Sequence, residues 1–168
     1  MKLKRRHGLL KRRQREGRTN YQKRLKMISS HLPRLIIRKS LKNIMVQLVE
    51  YAPAGDKVLI STSTKELQKH FGWTYAKRNT PAAYFVGYLI GRKAQKKNIK
   101  KAVCDTGLHT ISKGSILFSC VKGAVDAGLD IPHSDALFPS QDRIQGKHLK
   151  HPIPFQDIKT KMESTLKK

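Results

Sequence analysis

Acidic residues are what this sequence most lacks. Its 168 residues hold 11 Asp+Glu against 36 Lys+Arg, a formal net charge of +25. Such a one-sided chain repels itself when compact, which argues against an ordinary globular enzyme and for a polyanionic partner, nucleic acid first. Cysteine is nearly absent. Cys104 and Cys120 form no CxxC pair, so there is neither zinc-type spacing nor a disulfide framework; two reduced core thiols in a cytosolic compartment fit best. Long apolar runs are missing as well. The richest, Ala82 to Gly91, is too short for a bilayer and stops at Arg92-Lys93. Met1 to Arg18 is mostly cationic and has no signal-peptide centre; an Arg-rich transit peptide is the other reading, but such peptides are Ser-rich. A cytoplasmic location with no membrane partner is expected. No Walker A or Rossmann glycine pattern occurs.

What is present is unevenly spread. Residues 1 to 42 hold 16 Lys+Arg and one acid, Glu16, giving +15; residues 43 to 168 hold 20 and 10, giving +10. Met1 to Gly17 should be disordered alone, or nascent helix at most, and Lys2 to Lys26 has almost no apolar periodicity. A solvated tail or a localisation signal is the plain reading. Against it, Arg outnumbers Lys in Arg12-Arg-Gln-Arg-Glu-Gly-Arg18, and the guanidinium fork grips phosphate bidentately and stacks on bases.

From Arg34 the text becomes globular. Arg34–Ser40 and Asn43–Tyr51 read as strands joined by Leu41-Lys42 in a hairpin, and Val58–Thr62 as a third after the turn Pro53–Asp56. Ser63-x-x-Glu66 reads as a capping box for a short helix ending near Gly72. Thr80-Pro81 caps a long helix to about Lys97, whose Gly87-x-x-x-Gly91 pair suits close packing on a sheet. Lys100–Asp105 is a fourth strand, and Ser115–Ala127 a second long helix stopped by Gly128. Beyond Ile131 an irregular extension is expected, with a short helix near Gln141–Gln145. The expected divisions are a basic arm over 1–30, an α/β sandwich over 31–131 and the extension over 132–168.

Three surfaces are candidates for nucleic acid. The arm carries Arg5, Arg6, Arg12, Arg13, Arg15, Arg18 and Arg24, with Thr19, Asn20 and Tyr21. Tyr21 either stacks on a base or anchors the arm on the domain. The hairpin gathers Arg38, Lys39, Ser40, Lys42 and Asn43 at its tip; the competing reading is an edge guarded by cations against aggregation. The tail supplies His133, Arg143, Lys147 and His148. Catalysis finds little support. A metal-dependent nuclease needs clustered carboxylates, and Arg34–Ser40 has no acid. An RNA-processing enzyme and a DNA-compacting protein are the alternative classes. No cofactor is expected.

The order of several segments resembles a ribosomal family. These are Arg12-Arg-Gln-Arg-Glu-Gly-Arg-Thr-Asn-Tyr21 with Arg24-Leu25, the hairpin Arg34–Ser40 with Ile44 and Gln47-Leu-Val49, Asn79-Thr-Pro-Ala-Ala-Tyr84 with Gly87, Asp105-x-Gly107, and Ala127–Asp135. The family is the 5S-rRNA-binding protein numbered eighteen in the large subunit; the last segment and Arg143–His148 resemble its archaeal and eukaryotic branch. The resemblance covers about Arg5 to Lys150. It implies a three-layer α/β/α sandwich with a mixed sheet, like ribonuclease H without the catalytic acids, and a cytoplasmic, non-enzymatic role in seating 5S rRNA in the central protuberance. It implies large-subunit rRNA and neighbouring ribosomal proteins, the other 5S-binding protein included, as partners. By position it carries rRNA contacts to Arg12, Arg13, Arg15, Arg18, Thr19, Asn20, Tyr21 and Arg24, and to Arg38, Ser40, Lys42 and Gln47.

Overall fold

A computed structural model describes residues 9–151 and 153–167. Arg5 and Arg6 lie outside the described residues. The hairpin forms as expected from β1 (Arg34–Lys39) and β2 (Ile44–Glu50). β3 (Lys57–Ser63) extends it antiparallel beyond β2, and β4 (Val103–Asp105) lies parallel to β1 on the other side, giving the order β3-β2-β1-β4. The sheet is mixed, flanked by helices in the α/β/α arrangement expected. β4 is shorter than its sequence suggests, since Lys101 makes only an isolated bridge to Asp130.

Strand alternation sorts the faces. Leu35, Ile37, Ile44, Val46 and Leu48 are fully buried on one of them. Against this face lies α4 (Thr80–Lys96), in which every residue from Thr80 to Gly91 is buried. That explains its unbroken apolar run: a helix enclosed on all sides needs no polar stripe. α5 (Ile116–Asp126) packs directly on α4. The Gly87-x-x-x-Gly91 pair serves this helix–helix contact rather than packing on the sheet. A Cβ at Gly87 would stand 1.9 Å from the Cys120 carbonyl oxygen, and one at Gly123 of α5 would stand 2.1 Å from that of Tyr84. Trp73 is buried, with its ring edge-on to Phe85. Both thiols are free, and burial pushes them up: Cys104 to about 11, helped by the charge of Asp105, and Cys120 further.

Helix starts depart from the sequence signals in two places. α3 (Thr64–Phe71) begins after Ser63, but Ser63 makes no capping bond, and Glu66 pairs with Lys93 of α4 instead. α4 is capped by Asn79, not Thr80; its Oδ1 accepts the Ala82 amide at 2.9 Å.

The two ends hold more helix than expected. In the arm, a single turn α1 (Arg12–Arg15) precedes α2 (Tyr21–Ile28), which Asn20 caps by accepting the Lys23 amide at 3.0 Å. No residue of α2 is buried, so its apolar pattern gives no signal. The extension is not irregular throughout. After a 3-10 turn (Asp135–Leu137) and the expected short α6 (Gln141–Gln145), α7 (Phe155–Lys167) closes over the core. Ile158 and Met162 are buried, Phe155 stacks at 4.7 Å on Phe85, and the Tyr88 hydroxyl donates to Glu163 at 2.8 Å. Phe155, Ile158, Met162 and Leu166 do recur at helical spacing, but one short Lys-rich stretch just after Pro152 and Pro154 reads as the end of an irregular tail.

Gly87→Ala should force α4 and α5 apart at a backbone contact. The expected loss is about 3 kcal/mol, roughly 10 °C in melting temperature for a chain of this size, read by thermal unfolding followed by circular dichroism.

Candidate nucleic-acid interface

On the second face of the sheet the alternation places Arg34, Ile36 and Arg38 of β1 opposite Val49, Gln47 and Met45 of β2. Arg34 is no surface cation. It is 2% exposed, and its guanidinium donates to Asp56 at 2.6 Å and to Asp105 at 3.0 Å. Asp56 also takes Arg24 of α2 at 2.8 Å, through both carboxylate oxygens. The arm helix is thus held to the sheet by a four-member chain, Arg24–Asp56–Arg34–Asp105. Burying a guanidinium is tolerable only with partners of this kind. Asp105 uses its other oxygen to accept the Gly107 amide at 2.8 Å, which turns the chain sharply after β4. Gly107 sits at φ +64°, and a Cβ there would meet the Arg38 guanidinium at 2.8 Å. Lys23 of α2 reaches the Gly107 carbonyl at 3.5 Å. Sequence reading missed Arg34, Asp56 and Asp105. The available signal was a lone Arg at an alternating strand position facing Val49.

The expected site residues divide accordingly. Arg12, Arg13, Arg15 and Arg18 are exposed along the arm. Glu16 bridges Arg12 and Arg18 at 3.0 and 3.1 Å, and Arg13 donates to Thr19 at 3.0 Å. These exposed pairs are weak and leave guanidinium donors free. The Tyr21 ring lies 4.8 Å beneath the Lys11 ammonium. Asn20 is spent on its cap and Arg24 on Asp56. At the hairpin tip Ser40 and Asn43 bond to each other: the Ser40 hydroxyl donates to the Asn43 carbonyl and accepts the Asn43 amide, both at 3.0 Å. Lys42 is left exposed and Gln47 half-buried on the second face. Arg38 faces the arm side, while Lys39 points the other way and lines a cleft with Arg78, Arg143 and His148. The remaining tail residues find partners within the tail. His133 Nδ1 lies 2.6 Å from the Ile131 carbonyl, and Lys147 pairs with Asp142 at 2.6 Å.

The field at the end of β1 registers on His109, in the loop after β4. Burial first, then the cations Lys39 and Arg38, lower its pKa below the ordinary 6.5. Among the described residues no three His, Cys, Asp or Glu side chains gather to hold a metal, and no helix is long and apolar enough to cross a membrane.

A folded sandwich whose free cations collect on an arm and around the end of one strand is the form of a small basic protein that grips a polyanion. The family model described as "Ribosomal large subunit proteins 60S L5, and 50S L18" matches residues 5–103 and 93–134. Large ribosomal subunit protein uL18 of Caldivirga maquilingensis is 51% identical over 138 residues, covering 82% of this chain and 67% of that protein. The chain belongs to this family of large-subunit ribosomal proteins, which are ribosome components rather than enzymes, with rRNA and other ribosomal proteins as partners.

Two outcomes follow from this geometry. Asp105→Ala leaves the buried Arg34 short of a carboxylate and should cost about 3 kcal/mol; joining it with Arg34→Met should recover part of that loss in urea denaturation. His109 should titrate below 6.5 in the free protein by NMR and move upward when a polyanion neutralises Lys39 and Arg38.

Proposed function

We propose that this chain binds 5S rRNA and helps to seat it in the central protuberance of the large subunit, beside neighbouring ribosomal proteins that include the other 5S-binding protein. The observation that carries the reading is where the charge is left over, in a chain of this family. Apart from Glu50, Asp157 and Asp135, the last of which faces only the His133 imidazole, every side-chain carboxylate has a cation or phenol partner among the described residues. The acids are therefore mostly occupied within the protein, and Arg12, Arg13, Arg15, Arg18, Arg38 and Lys42 keep donors for phosphate.

In this reading residues 1–30 act as a gripping arm, 31–131 as the sandwich that aims it and 132–168 as an extension lending cations. α2 is fastened by Arg24, while Arg12–Gly17 bury nothing and settle fully on RNA, paying their ordering entropy then. Affinity comes largely from counterion release, and selectivity from RNA shape, 2′-OH contacts and unpaired bases.

The test is a competition shift assay among 5S rRNA, generic duplex RNA and duplex DNA, repeated across salt. Preference for 5S rRNA is expected, with a log–log salt slope on the order of −6 to −7 for about eight neutralised phosphates. Deleting residues 1–17 should weaken binding and leave thermal unfolding almost unchanged. Equal affinity for DNA duplex would favour a compacting protein, and saturable cleavage of RNA with Mg2+ an enzyme.

A further inference from the structure

A cleft of about 430 Å³ opens beyond the carboxyl ends of the parallel strands β1 and β4, where the first turns of α4 and α5 converge. This is the end of an α/β sheet at which ligands commonly gather. Lys39, Arg78, Arg143 and His148 line it, and no Asp or Glu does. Among the described residues Lys39, Arg78 and Arg143 enter no ion pair.

Two further lining residues bury a polar atom that has no partner. Asn79 spends its Oδ1 on the α4 cap, and its Nδ2 is left without an acceptor. Ser115 stands at the N-cap of α5 with its hydroxyl buried and making no capping bond. Buried polar atoms of this kind cost stability until something meets them. The first-turn amides of α5 lack a side-chain cap for the same reason, and they carry the positive end of an eleven-residue helix.

Flanking guanidinium groups, an unpartnered amide N–H and an unpartnered hydroxyl just beneath the cleft wall, and an uncapped helix start share one complement, a phosphate oxygen. We propose that this cleft is a second RNA site, separate from the arm, that receives a backbone phosphate of rRNA. Ser115 and the α5 amides donate to it, Asn79 supplies Nδ2, and Arg78 and Arg143 neutralise its neighbours. The site rests on the rRNA-binding reading above. RNA suits it better than an acidic protein segment because Lys39 directly follows Arg38 on β1. The cleft therefore continues around the strand end from the arm-side surface, as a polyphosphate track would.

The test uses the full chain with transcribed 5S rRNA across a salt series. Ser115→Asp places a carboxylate at the N-cap, where Asp serves as well as Ser and suits the helix dipole. Its melting temperature should hold or rise while 5S rRNA affinity falls about tenfold. The double variant Arg78→Gln with Arg143→Gln should flatten the log–log slope by about 1.5. If the wild type does not prefer 5S rRNA over generic RNA, the underlying reading falls, and the cleft proposal with it. If the wild type does prefer it but both variants match it in affinity and slope, the cleft proposal alone is overturned. Variants that keep full RNA affinity yet lose a neighbouring ribosomal protein in reconstitution would equally overturn it, in favour of an acidic protein segment.

Discussion

The buried guanidinium of Arg34 is the constraint on which the cationic side of this molecule depends. A strand residue 2% exposed and permanently charged has to find carboxylates, and the chain has few to give. Two converge on it. Asp56 comes from the β2–β3 turn and Asp105 from the end of β4. Each then does a second job. Asp56 captures Arg24 and so fixes α2 to the sheet. Asp105 accepts the Gly107 amide and so sets the path of the loop whose Thr110 and Ser112 line the cleft. The arm's direction and the loop's direction are thus set by one ion network more than by apolar packing, since Tyr21, Met27 and Ile28 of α2 are only half-buried.

The shortage of acid gains a structural meaning from this. Most carboxylates are assigned within the protein: to Arg34, to the tyrosines of α4 through Asp126 and Glu163, to Lys93 through Glu66. Several of these pairs are exposed and contribute little to stability. Their effect is on the field. They neutralise cations on the flanks of the sandwich and leave those of the arm and the β1 end in excess, so the net charge acts in a direction.

Sequence patterns carried the sheet and the two central helices because those elements repeat a period over a buried face. The hairpin alternates, and α4 and α5 hold long apolar runs. The end elements were illegible for the opposite reason. α2 buries no residue, and α7, among its described side chains, fully buries Ile158 and Met162 on a Lys-rich helix. Arg34 drew no role from the sequence because alternation tells which residues share a face, not whether that face is covered there. The cleft was hidden by sequence distance. Thr80 and Ser115 read separately as the starts of two helices, and only the approach of α4 to α5 through Gly87 and Gly123 sets those starts side by side.

The two cationic surfaces meet at a single pair of residues. Arg38 and Lys39 are consecutive on β1, so the pleat must send them to opposite faces. Arg38 packs against Gly107 beside the arm, and Lys39 enters the cleft with Arg78 and Arg143. Their spacing is fixed by backbone geometry, and their assignment to faces by the register that pairs Arg38 with Met45 and Lys39 with Ile44. A slip of one residue would carry Leu35 and Ile37 out of the core and Arg34 into it, which hydrophobic burial forbids. The apolar residues that make the core therefore also hold the cations in place. No separate device is needed to aim the charge, because the register that buries Leu35 and Ile37 is the register that divides Arg38 from Lys39.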